Sequence, residues 1–468
     1  MKNNIKLYSL NALLLVFFYM VTAGVFYLAY STEYIEDKSL IPMRIVVFIL
    51  LLPILFKYLI QLLSLCFYNF SERSRQRRDI LCPEVKVSVL IPAWNEEVGI
   101  IKTIKSVLVS EHNEVEIVVI NDGSTDNTDK LIREFVQNFK DKQSLKTENL
   151  SKSIQYLNIK NGGKAKALNR ALNVATGQII ITIDADCLMD RMAITNTLKR
   201  FGNQKVGAVC GNVVVGNRKK PVELMQQLEY LYGFFFKRAD SVFNSVYIIG
   251  GAAAAYRKTV LDEVGGFDEH IVTEDIEMSM RILSYGYKTR YAADAVTYTE
   301  GPSRWRCLFN QRLRWRFGRF QTFIKYKQLF FSAQQHHNRY FTFLLLPVAL
   351  YAEFALLFQG LFLAAFYSYT FITFDFIPLV FVIVFMAMMV CLQVMFDTKS
   401  KFHLNLLLLA PIAWLVFYVV DVVEFQALFR SLKRLAKQEE LKWQKWARVG
   451  LLSQQTQDDE ENICPTER

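Results

Sequence analysis

The chain has 468 residues, too many for one compact hydrophobic core, so that a catalytic domain and membrane helices can share it. Lys and Arg outnumber Asp and Glu by 55 to 44, and 52% of the residues are hydrophobic. The basic residues cluster beside apolar runs, which argues against nucleic-acid binding. The seven cysteines form no Cys-x-x-Cys pair and the five histidines are scattered, which disfavours a zinc site and suits reduced, cytosolic thiols.

Two apolar runs near the N-terminus, residues 10–30 and 45–68, are each long enough to cross a bilayer. A cleaved signal peptide is the alternative for the first run, but its apolar stretch is long for that and a second run follows directly. We therefore predict two N-terminal transmembrane helices in residues 1–70. A basic juxtamembrane linker is predicted for residues 71–84.

The charges that flank these runs predict the orientation of the chain. Acidic residues occupy the loop between the runs, and arginines follow the second run, at Arg73, Arg75, Arg77 and Arg78. By the positive-inside rule, the N-terminus and the central domain are cytoplasmic. We expect a multi-pass protein of the bacterial inner (plasma) membrane with a cytoplasmic catalytic domain.

The central region alternates short apolar runs with helical patterns, which predicts βαβ units and a largely parallel sheet covered on both faces. This α/β domain is placed at residues 85–302. Strands are expected at residues 85–91, 115–120, 154–159 and 178–183, and helices at 127–138, 163–175, 221–238 and 274–285.

The region after the α/β domain is apolar, aromatic and arginine-rich at once, which suits helices lying in the cytoplasmic membrane interface. Such interface helices are predicted for residues 303–338. About three C-terminal transmembrane helices are predicted within residues 339–428, since buried core helices would be shorter and less uniformly apolar. Their apolar runs are residues 341–367, 376–396 and 404–425.

The tail at residues 429–468 is predicted to be basic and partly disordered. A cytoplasmic tail requires an even number of C-terminal crossings, whereas three candidate runs are present. One run could lie in the interface or re-enter the membrane, and the sequence leaves this open.

Polar motifs follow the first two predicted strands, where open α/β sheets place their ligand sites. Asp122 ends the second strand within Asn-Asp-Gly-Ser-Thr-Asp, and a simple turn is its alternative interpretation. A second loop, beginning at Pro92, follows the first strand and forms the other lip of the expected crevice. Carboxylates gathered at such an edge suit a divalent cation carrying a diphosphate, which points to a nucleotide-activated donor. We expect this donor to be contacted by Pro92, Ala93, Asn95 and Glu96.

Asp184-Ala185-Asp186 follows the apolar run Ile-Ile-Ile-Thr-Ile. Alternate residues of an extended strand end point the same way, so both carboxylates can face one ion. Carboxylate oxygens suit Mg²⁺ or Mn²⁺ bound together with substrate phosphates. The alternative is a solvated turn with two acidic residues.

Three further positions carry candidate chemistry. Lys164, near a predicted helix start, could contact a phosphate or the base, or be exposed to solvent. Asp275 either caps a helix or acts as a general base. Arg314 offers a guanidinium for a leaving diphosphate and Trp315 a flat face for a sugar ring, against the alternative of ordinary interface residues.

Taken in order, Asn121-Asp122-Gly123, Asp184-Ala185-Asp186, Thr273-Glu274-Asp275 and Gln311-x-x-Arg314-Trp315 resemble the motifs of the processive family 2 glycosyltransferases. These are membrane synthases of cellulose, chitin, hyaluronan and poly-β-1,6-N-acetylglucosamine. The resemblance spans roughly residues 45–425. It implies a GT-A fold between N- and C-terminal transmembrane helices, a UDP-sugar donor, Mg²⁺ or Mn²⁺, and inversion at the anomeric carbon.

The resemblance also implies roles for individual residues. Asp122 and Lys164 would contact the donor, Asp184 and Asp186 the metal and diphosphate, and Asp275 would be the catalytic base. Gln311, Arg314 and Trp315 would hold the diphosphate and the acceptor end, and Glu274 would lie on the acceptor side.

Size and hydrophobic layout look most like bacterial poly-β-1,6-N-acetylglucosamine synthases of the biofilm type. The expected partners are a UDP-sugar, a growing polysaccharide, the lipid bilayer and a small accessory membrane protein, with no nucleic acid. The alternatives are another β-glycan synthase, a non-processive transferase that adds one sugar to a lipid carrier, and, outside enzymes, a transporter or membrane scaffold. The sequence leaves the sugar and the linkage open.

Overall fold

The computed structural model describes residues 41–78, 85–144 and 152–439, with residues 20, 441, 450 and 451. The predicted membrane helix at residues 10–30 lies outside this part of the chain except for Met20. The helices are α1 Ile41–Arg78, α2 Ile100–Leu108, α3 Thr128–Ser144, α4 Lys164–Val174, α5 Ala193–Leu198, α6 Pro221–Val242, α7 Lys258–Val264, α8 Glu274–Ser284, α9 Trp305–Lys325, α10 Leu346–Thr373, α11 Ile377–Phe396 and α12 Ala413–Ala436.

Eight strands form one sheet in the order β3-β2-β1-β4-β7-β6-β8-β5. They are β1 Val87–Ala93, β2 Val115–Asp122, β3 Ser153–Ile159, β4 Ile179–Thr182, β5 Leu188–Met189, β6 Val206–Val215, β7 Ala254–Arg257 and β8 Lys288–Thr299. Strands β3, β2, β1 and β4 are parallel neighbours, as expected for βαβ units. Strand β7 runs antiparallel to β4 and β6, and β5 runs antiparallel to β8, so the sheet as a whole is mixed.

The sequence analysis did not identify strands β5 to β8. The longest of them are interrupted by small residues, Gly and Ala in β6 and Ala in β8, which weaken the pattern of a buried strand. Strand β7 follows a short 3₁₀ turn, Gly251–Ala253, rather than a crossover helix, and it pairs antiparallel with β4. Only the sheet pairing makes these segments recognisable as strands.

Both faces of the sheet are covered by helices, which explains why its central strands are apolar throughout. On one face, α2, α3 and α5 pack on the strands through residues such as Ile104, Ile132 and Ile194. On the other face, α4, α7 and α8 do so through Leu168, Leu261 and others. Every residue of β2 is buried, as a strand covered on both sides requires.

Strands β1 and β4 are neighbours in the sheet. The strands that follow β1 in sequence, β2 and β3, lie on one side of this pair, and those that follow β4 lie on the other, so the strand order reverses between β1 and β4. In open α/β sheets such a reversal opens a crevice outside the carboxyl ends of the strands. The carboxyl ends of β1, β2 and β4 carry Ala93, Asp122 and, two residues beyond Thr182, Asp184. The fold thereby gathers the loop after β1 and the first two predicted motifs at one edge.

Four helical segments in the described part of the chain are long and apolar enough to cross a membrane: Ile49–Arg77, Phe341–Thr373, Ile377–Phe396 and Ser400–Ala436. Large apolar side chains on them face outward, with Leu361 68% exposed and Leu408 84% exposed. Outward apolar side chains on such helices suit contact with lipid. The last segment consists of a 3₁₀ helix, Ser400–Ile412, followed by α12.

Helix α1 continues to Arg78, through the first half of the stretch predicted as a linker, residues 71–84. Residues 79–84 lie outside the described part of the chain. Arg75 donates hydrogen bonds to the carbonyl oxygens of Ser241 and Val242 at 3.0 and 2.7 Å, at the end of α6. The end of α1 is therefore attached to the α/β domain.

Candidate active site

A cavity of about 700 Å³ opens at the carboxyl ends of β1, β2 and β4 and is closed on the other side by α6, α8 and α9. Eight acidic and four basic residues line it. The structure brings to this cavity all the residues that the sequence analysis singled out for the site, except Asn95. They are Pro92, Ala93, Glu96, Asp122, Lys164, Asp184, Asp186, Glu274, Asp275, Gln311, Arg314 and Trp315.

Asn95, expected to contact the donor, does not line the cavity. Its backbone adopts a positive φ of 56°, a conformation that Asn tolerates better than most residues. Its side-chain oxygen accepts a hydrogen bond from the Thr125 N–H at 2.7 Å, and its own N–H donates to Ser124 Oγ at 2.8 Å. Asn95 therefore ties the loop after β1 to the loop after β2.

Asp122 is buried and holds the loop that precedes α4. Its two carboxylate oxygens accept the N–H groups of Gly162 and Gly163, both at 2.8 Å. Burial raises the pKa of Asp122, and these two hydrogen bonds oppose that rise. Gly163 has a φ of 93°, which favours glycine at the start of α4. Asp122 thus determines where α4 begins, and with it the position of Lys164.

Lys164 lies between two carboxylates. Its Nζ is 2.6 Å from Asp184 Oδ1 and 3.0 Å from Glu274 Oε1. Burial lowers the pKa of Lys164, but the nearby Asp184, Glu274 and Asp275 outweigh that effect and hold it well above its usual value. Lys164 therefore joins the end of β4 to the start of α8 through two ion pairs.

Glycine at position 251 makes room for this cluster. A Cβ added there would lie 2.6 Å from Lys164 Nζ and 3.7 Å from both Asp275 Oδ2 and Glu274 Oε1. The main chain at Gly251 therefore comes within reach of all three charged groups. Burial raises the pKa of Glu274, Lys164 lowers it, and Asp275 raises it further.

Asp184, Asp186 and Cys187 each offer a ligand atom within 4.8 Å of the others, a grouping that could hold a metal ion. The two carboxylates are half-buried at the cavity wall, whereas the thiol is buried. Burial raises the pKa of Cys187 far above its usual value, and Asp186 and Asp184 raise it further. The two carboxylates at the cavity wall are oxygen ligands of the kind that suits Mg²⁺ or Mn²⁺.

Asp275 occupies the first turn of α8, where a carboxylate is favoured by the backbone amides. Its Oδ1 accepts the Ile276 N–H at 2.9 Å, while Oδ2 is the oxygen nearest Gly251. The capping role expected as the alternative is thus partly present. It coexists with a position on the cavity wall.

A glycine lets helix α9 approach the start of α8 closely. A Cβ added at Gly318 would overlap the side chain of Thr273, the residue that precedes Glu274 and Asp275. Because no side chain intervenes, the two segments approach closely. The spacing between the acidic residues of α8 and the basic face of α9 depends on this contact.

The side chains of α9 divide between the cavity and the neighbouring helices. Gln311, Arg314 and Trp315, three and one residues apart, share one side of the helix and line the cavity. Three further arginines bind acidic residues of other helices: Arg312 Nη2 is 2.6 Å from Glu229 in α6, Arg316 Nε is 2.6 Å from Glu424 in α12, and Arg319 Nη1 is 2.9 Å from Glu353 in α10. Arg319 also lines the cavity.

Helix α6 contributes cavity residues that the sequence analysis did not assign to the site. Tyr230, Gly233, Phe234 and Lys237 recur at a spacing of three to four residues and line the cavity. The Tyr230 ring lies 6.3 Å from the Trp315 ring, centroid to centroid. The aromatic periodicity of residues 221–238 was a usable signal, but the sequence could not show which side of the helix faces the site.

Two residues near the C-terminus also reach the α/β domain. The Gly450 N–H donates to Glu300 Oε2 at 2.9 Å, and Lys102 Nζ donates to the carbonyl oxygen of Leu451 at 3.1 Å. Glu300 itself lines the cavity. The predicted tail, 429–468, therefore contacts the domain at these two residues, whereas residues 442–449 and 452–468 lie outside the described part of the chain.

Comparison with known families decides what kind of domain surrounds this cavity. The profile described as "Glycosyl transferase family 2" matches residues 88–265, and "Glycosyl transferase family group 2" matches residues 179–396. Together the two matches cover the sheet, the cavity and most of the C-terminal apolar helices. The chain carries glycosyltransferase family 2 domains within residues 88–396. Its mixed sheet, with one parallel half, belongs to a GT-A-type fold, as the resemblance implied.

Named relatives of this transferase include a polysaccharide synthase and a probable glycosyltransferase. It is 31% identical over 243 residues to the poly-beta-1,6-N-acetyl-D-glucosamine synthase of Staphylococcus epidermidis, a match that covers 51% of this chain and 56% of that enzyme. The chain thus spans about half the length of that relative. It is 26% identical over 378 residues to the probable glycosyltransferase YdaM of Bacillus subtilis, covering 78% of this chain and 87% of YdaM.

Among solved structures, the transferase is similar to the mannosyltransferase PcManGT from Pyrobaculum calidifontis, described in complex with GDP-Man and Mn²⁺. The TM-score is 0.49 and the sequence identity 20%, with 82% of this chain and all of the mannosyltransferase chain covered.

Proposed function

We propose that the protein is an inverting, processive membrane glycosyltransferase that polymerises a UDP-sugar into an exported polysaccharide. The best candidate reaction is the conversion of UDP-N-acetylglucosamine to poly-β-1,6-N-acetylglucosamine. One observation carries the proposal: in a family 2 chain, a single cavity joins the strand-end carboxylates to the Gln311, Arg314 and Trp315 side of a helix packed among apolar segments. The named synthase relatives support the choice of sugar.

The acidic character of the cavity suits a diphosphate donor only when a cation is supplied. Acidic lining residues outnumber basic ones by eight to four, so an unaccompanied UDP would meet net repulsion. Asp184 and Asp186 are the residues that would hold Mg²⁺ or Mn²⁺, because both offer carboxylate oxygens at the cavity wall. Such a cation would neutralise charge on the departing diphosphate.

The remaining steps fall to side chains of α8 and α9. Asp275 would take the proton from the acceptor hydroxyl as that oxygen attacks the anomeric carbon, and UDP would leave from the opposite face of the sugar. Arg314, with its planar guanidinium, would pair with the diphosphate that leaves. Trp315 and Glu274 would contact the acceptor sugar, Glu274 through the carboxylate that also pairs with Lys164.

Lys164 would bring a positive charge to the donor site without leaving its carboxylate partners. It starts α4, so its position is set by Asp122 through the Gly162 and Gly163 amides. We therefore assign Asp122 a share in positioning Lys164, in addition to the proposed contact with the nucleoside. Pro92, Ala93 and Glu96 would complete the donor side, and Asn95 would act by fixing their loop.

We further propose that the catalytic domain is cytoplasmic and that the segment Ser400–Ala436 does not cross the membrane. Contacts with the domain side occur near both of its ends: Lys399 Nζ is 2.7 Å from Asp190 Oδ2, and Ser431 Oγ donates to the Leu313 carbonyl oxygen at 3.4 Å. A segment that starts and ends on one side leaves α10 and α11 as the two C-terminal crossings. The contacts of Gly450 and Leu451 with the domain fit this even number.

Cysteine labelling in sealed, right-side-out membrane vesicles tests this topology. A cysteine at Lys437, after α12, should be protected from a membrane-impermeant maleimide, whereas one at Thr373, at the far end of α10, should be labelled. Labelling of both positions from outside would show that the last segment crosses.

A donor screen tests the enzymatic proposal. Purified full-length protein in nanodiscs is supplied with radiolabelled UDP-sugars and Mn²⁺ or Mg²⁺, UDP release is followed, and the product is sized and digested with linkage-specific glycosidases. Release of UDP with long products sensitive to a β-1,6-N-acetylglucosaminidase is expected. A single-sugar lipid product would refute processivity, and digestion only by another glycosidase would reassign the linkage.

A further inference from the structure

A second arginine of the Gln311–Trp315 segment contacts Trp315 without facing the cavity. The Arg312 guanidinium carbon lies 4.2 Å from the centre of the Trp315 ring system, within the range of a cation–π contact. Arg312 is 1% exposed and is among the largest fully buried side chains of the described chain. Water therefore contributes little to holding it, and its position must come from other side chains.

Those side chains belong to two other helices. Arg312 Nη2 is 2.6 Å from Glu229 Oε2 in α6, and Arg312 Nε is 3.3 Å from Glu424 Oε1 in α12. Two carboxylates approach the guanidinium through different nitrogens, so its plane is fixed as well as its position. Glu424 lies in the apolar segment Ser400–Ala436, and Glu229 lies on the cavity wall.

The plane of the Trp315 indole is set by what it rests on. On one side is the Arg312 guanidinium, and Tyr230 is a neighbouring ring at 6.3 Å with an interplanar angle of 47°. A lysine in place of Arg312 would keep the charge but lose the planar group that stacks on the indole. An Arg312→Lys substitution can therefore test the planar shape of the side chain separately from its charge.

We propose that Arg312 is a positioning residue for the acceptor: it fixes the indole of Trp315, and Glu229 and Glu424 hold it in place from α6 and α12. The inference rests on the proposed acceptor role of Trp315. It assigns a function to the arginine between Gln311 and Arg314 and makes the placement of α12 part of the acceptor site. Loss of this contact weakens the hold on the growing chain end without altering the donor side.

Arg312→Lys in the full-length protein tests the proposal, with Arg316→Lys as the matched control. Arg316 lies on the same helix and shares Glu424 with Arg312, but its ion pairs run to Glu424 and Glu353 rather than toward the Trp315 ring. The readouts are UDP affinity, initial UDP release, and product length under conditions of few initiations per enzyme. Thermal unfolding is measured alongside.

For Arg312→Lys we expect UDP affinity within twofold of wild type and mean product length reduced about fivefold or more, the size expected for loss of a desolvated cation–π contact. Arg316→Lys should keep wild-type product length even if its unfolding temperature falls. In a double-mutant cycle, Trp315→Ala should mask Arg312→Lys, because both remove the same contact.

Should Arg312→Lys fail to fold, Glu424→Gln provides the second variant, with shortened products and unchanged UDP affinity expected. Wild-type product length in either folded variant, or full additivity with Trp315→Ala, would overturn the inference while leaving the proposed function standing. If the wild-type protein binds UDP but forms no glycan, both fall. If it adds a single sugar to a lipid, processivity falls, and a raised KM for that lipid in Arg312→Lys supports the positioning role.

Discussion

Two groups of charged residues lie beside α9, and their composition differs. In the first, Lys164 is shared by Asp184 and Glu274, and Asp186 and Asp275 line the same cavity. In the second, three arginines of α9 meet three glutamates from α6, α10 and α12 (Arg312, Arg316 and Arg319 with Glu229, Glu353 and Glu424), and Arg319 and Glu229 also border the cavity.

The first group has an acidic excess and faces a large cavity, which suits the proposed binding of a cation and a charged substrate. The second is balanced and largely buried, so its charges are satisfied by protein. Breaking one partner of such a buried set leaves an uncompensated charge, which is costly even where the intact set adds little stability. The presence of charged residues alone therefore does not indicate a ligand site. The balance of positive and negative charge in the group, and the exposure of its side chains to a cavity, are more informative.

Asp275→Asn should give the largest effect, because it removes the proposed base from the acidic group. We expect glycan synthesis to fall by about 10²–10⁴-fold with UDP affinity preserved. UDP binding by calorimetry and product formation from radiolabelled donor measure the two properties. Asp262→Asn, an exposed acid on α7 paired with Lys258 at 3.8 Å, is the control and should remain active. A nearly wild-type rate in Asp275→Asn would leave Asp275 as a helix cap alone.

Asp186→Asn should weaken metal-dependent donor binding, because Asp186 is one of the two proposed metal ligands. The second charged group contains no proposed metal ligand, so this variant tests the acidic group alone. The expected loss in apparent Mn²⁺ affinity is about 10–100-fold, in the range for disturbed metal-site residues. Titrating Mn²⁺ into the protein with UDP present measures it. Chelation with EDTA should abolish UDP binding by the wild-type protein. An unchanged Mn²⁺ titration would show that the pair of aspartates is not the ion site.

Gly318→Ala should disturb the close contact between α9 and Thr273, the residue before α8. The added methyl group meets Thr273, so α9 must shift, at a cost of about 1–3 kcal/mol, and glycan synthesis should fall with it. Gly360→Ala in α10, where nothing lies within 4 Å of the new Cβ, is the control and should be neutral or slightly stabilising. Chemical denaturation and product assays report the two effects. Equal behaviour of the two alanine variants would contradict a tight α8–α9 contact.

Asp240 is a buried acid outside both charged groups, and its hydrogen-bond donors are neutral side chains. We expect it to have the smallest effect, a dependence of stability on pH. It accepts hydrogen bonds from Gln61 at 2.8 Å and Tyr340 at 3.0 Å, and burial raises its pKa to about 6. Because the folded pKa lies above the unfolded one, the native state takes up a proton first and gains stability as the pH falls through 6 toward 4.

Between pH 8 and pH 5 this group should therefore add about 1.4 kcal/mol to the free energy of unfolding of the wild-type protein. Asp240→Asn should lose that gain, which unfolding curves of both proteins at the two pH values would reveal. An equal pH dependence in the two proteins would place the pKa of Asp240 outside this window.

Local chemistry in the sequence was sufficient to predict where many residues of the candidate site lie. Asp122 and Asp184 follow apolar strands, so their place at the carboxyl edge of a sheet followed from the parallel βαβ pattern. Gln311, Arg314 and Trp315 fall on one side of any α-helix that includes them. The apolar runs that became α10 and α11 were recognisable by length alone, and the first run at residues 10–30 stays a prediction outside the described residues.

What only the tertiary structure decided is which neighbours each polar side chain meets. The sequence could not show that Asn95 turns from the cavity to a neighbouring loop, or that Asp122 binds the Gly162 and Gly163 amides. Nor could it distinguish Arg312, buried between two glutamates, from Arg314, two residues further on. The physical reason is that strand edges and helix sides follow from spacing along one chain segment, whereas burial and ion pairing depend on segments far apart in sequence.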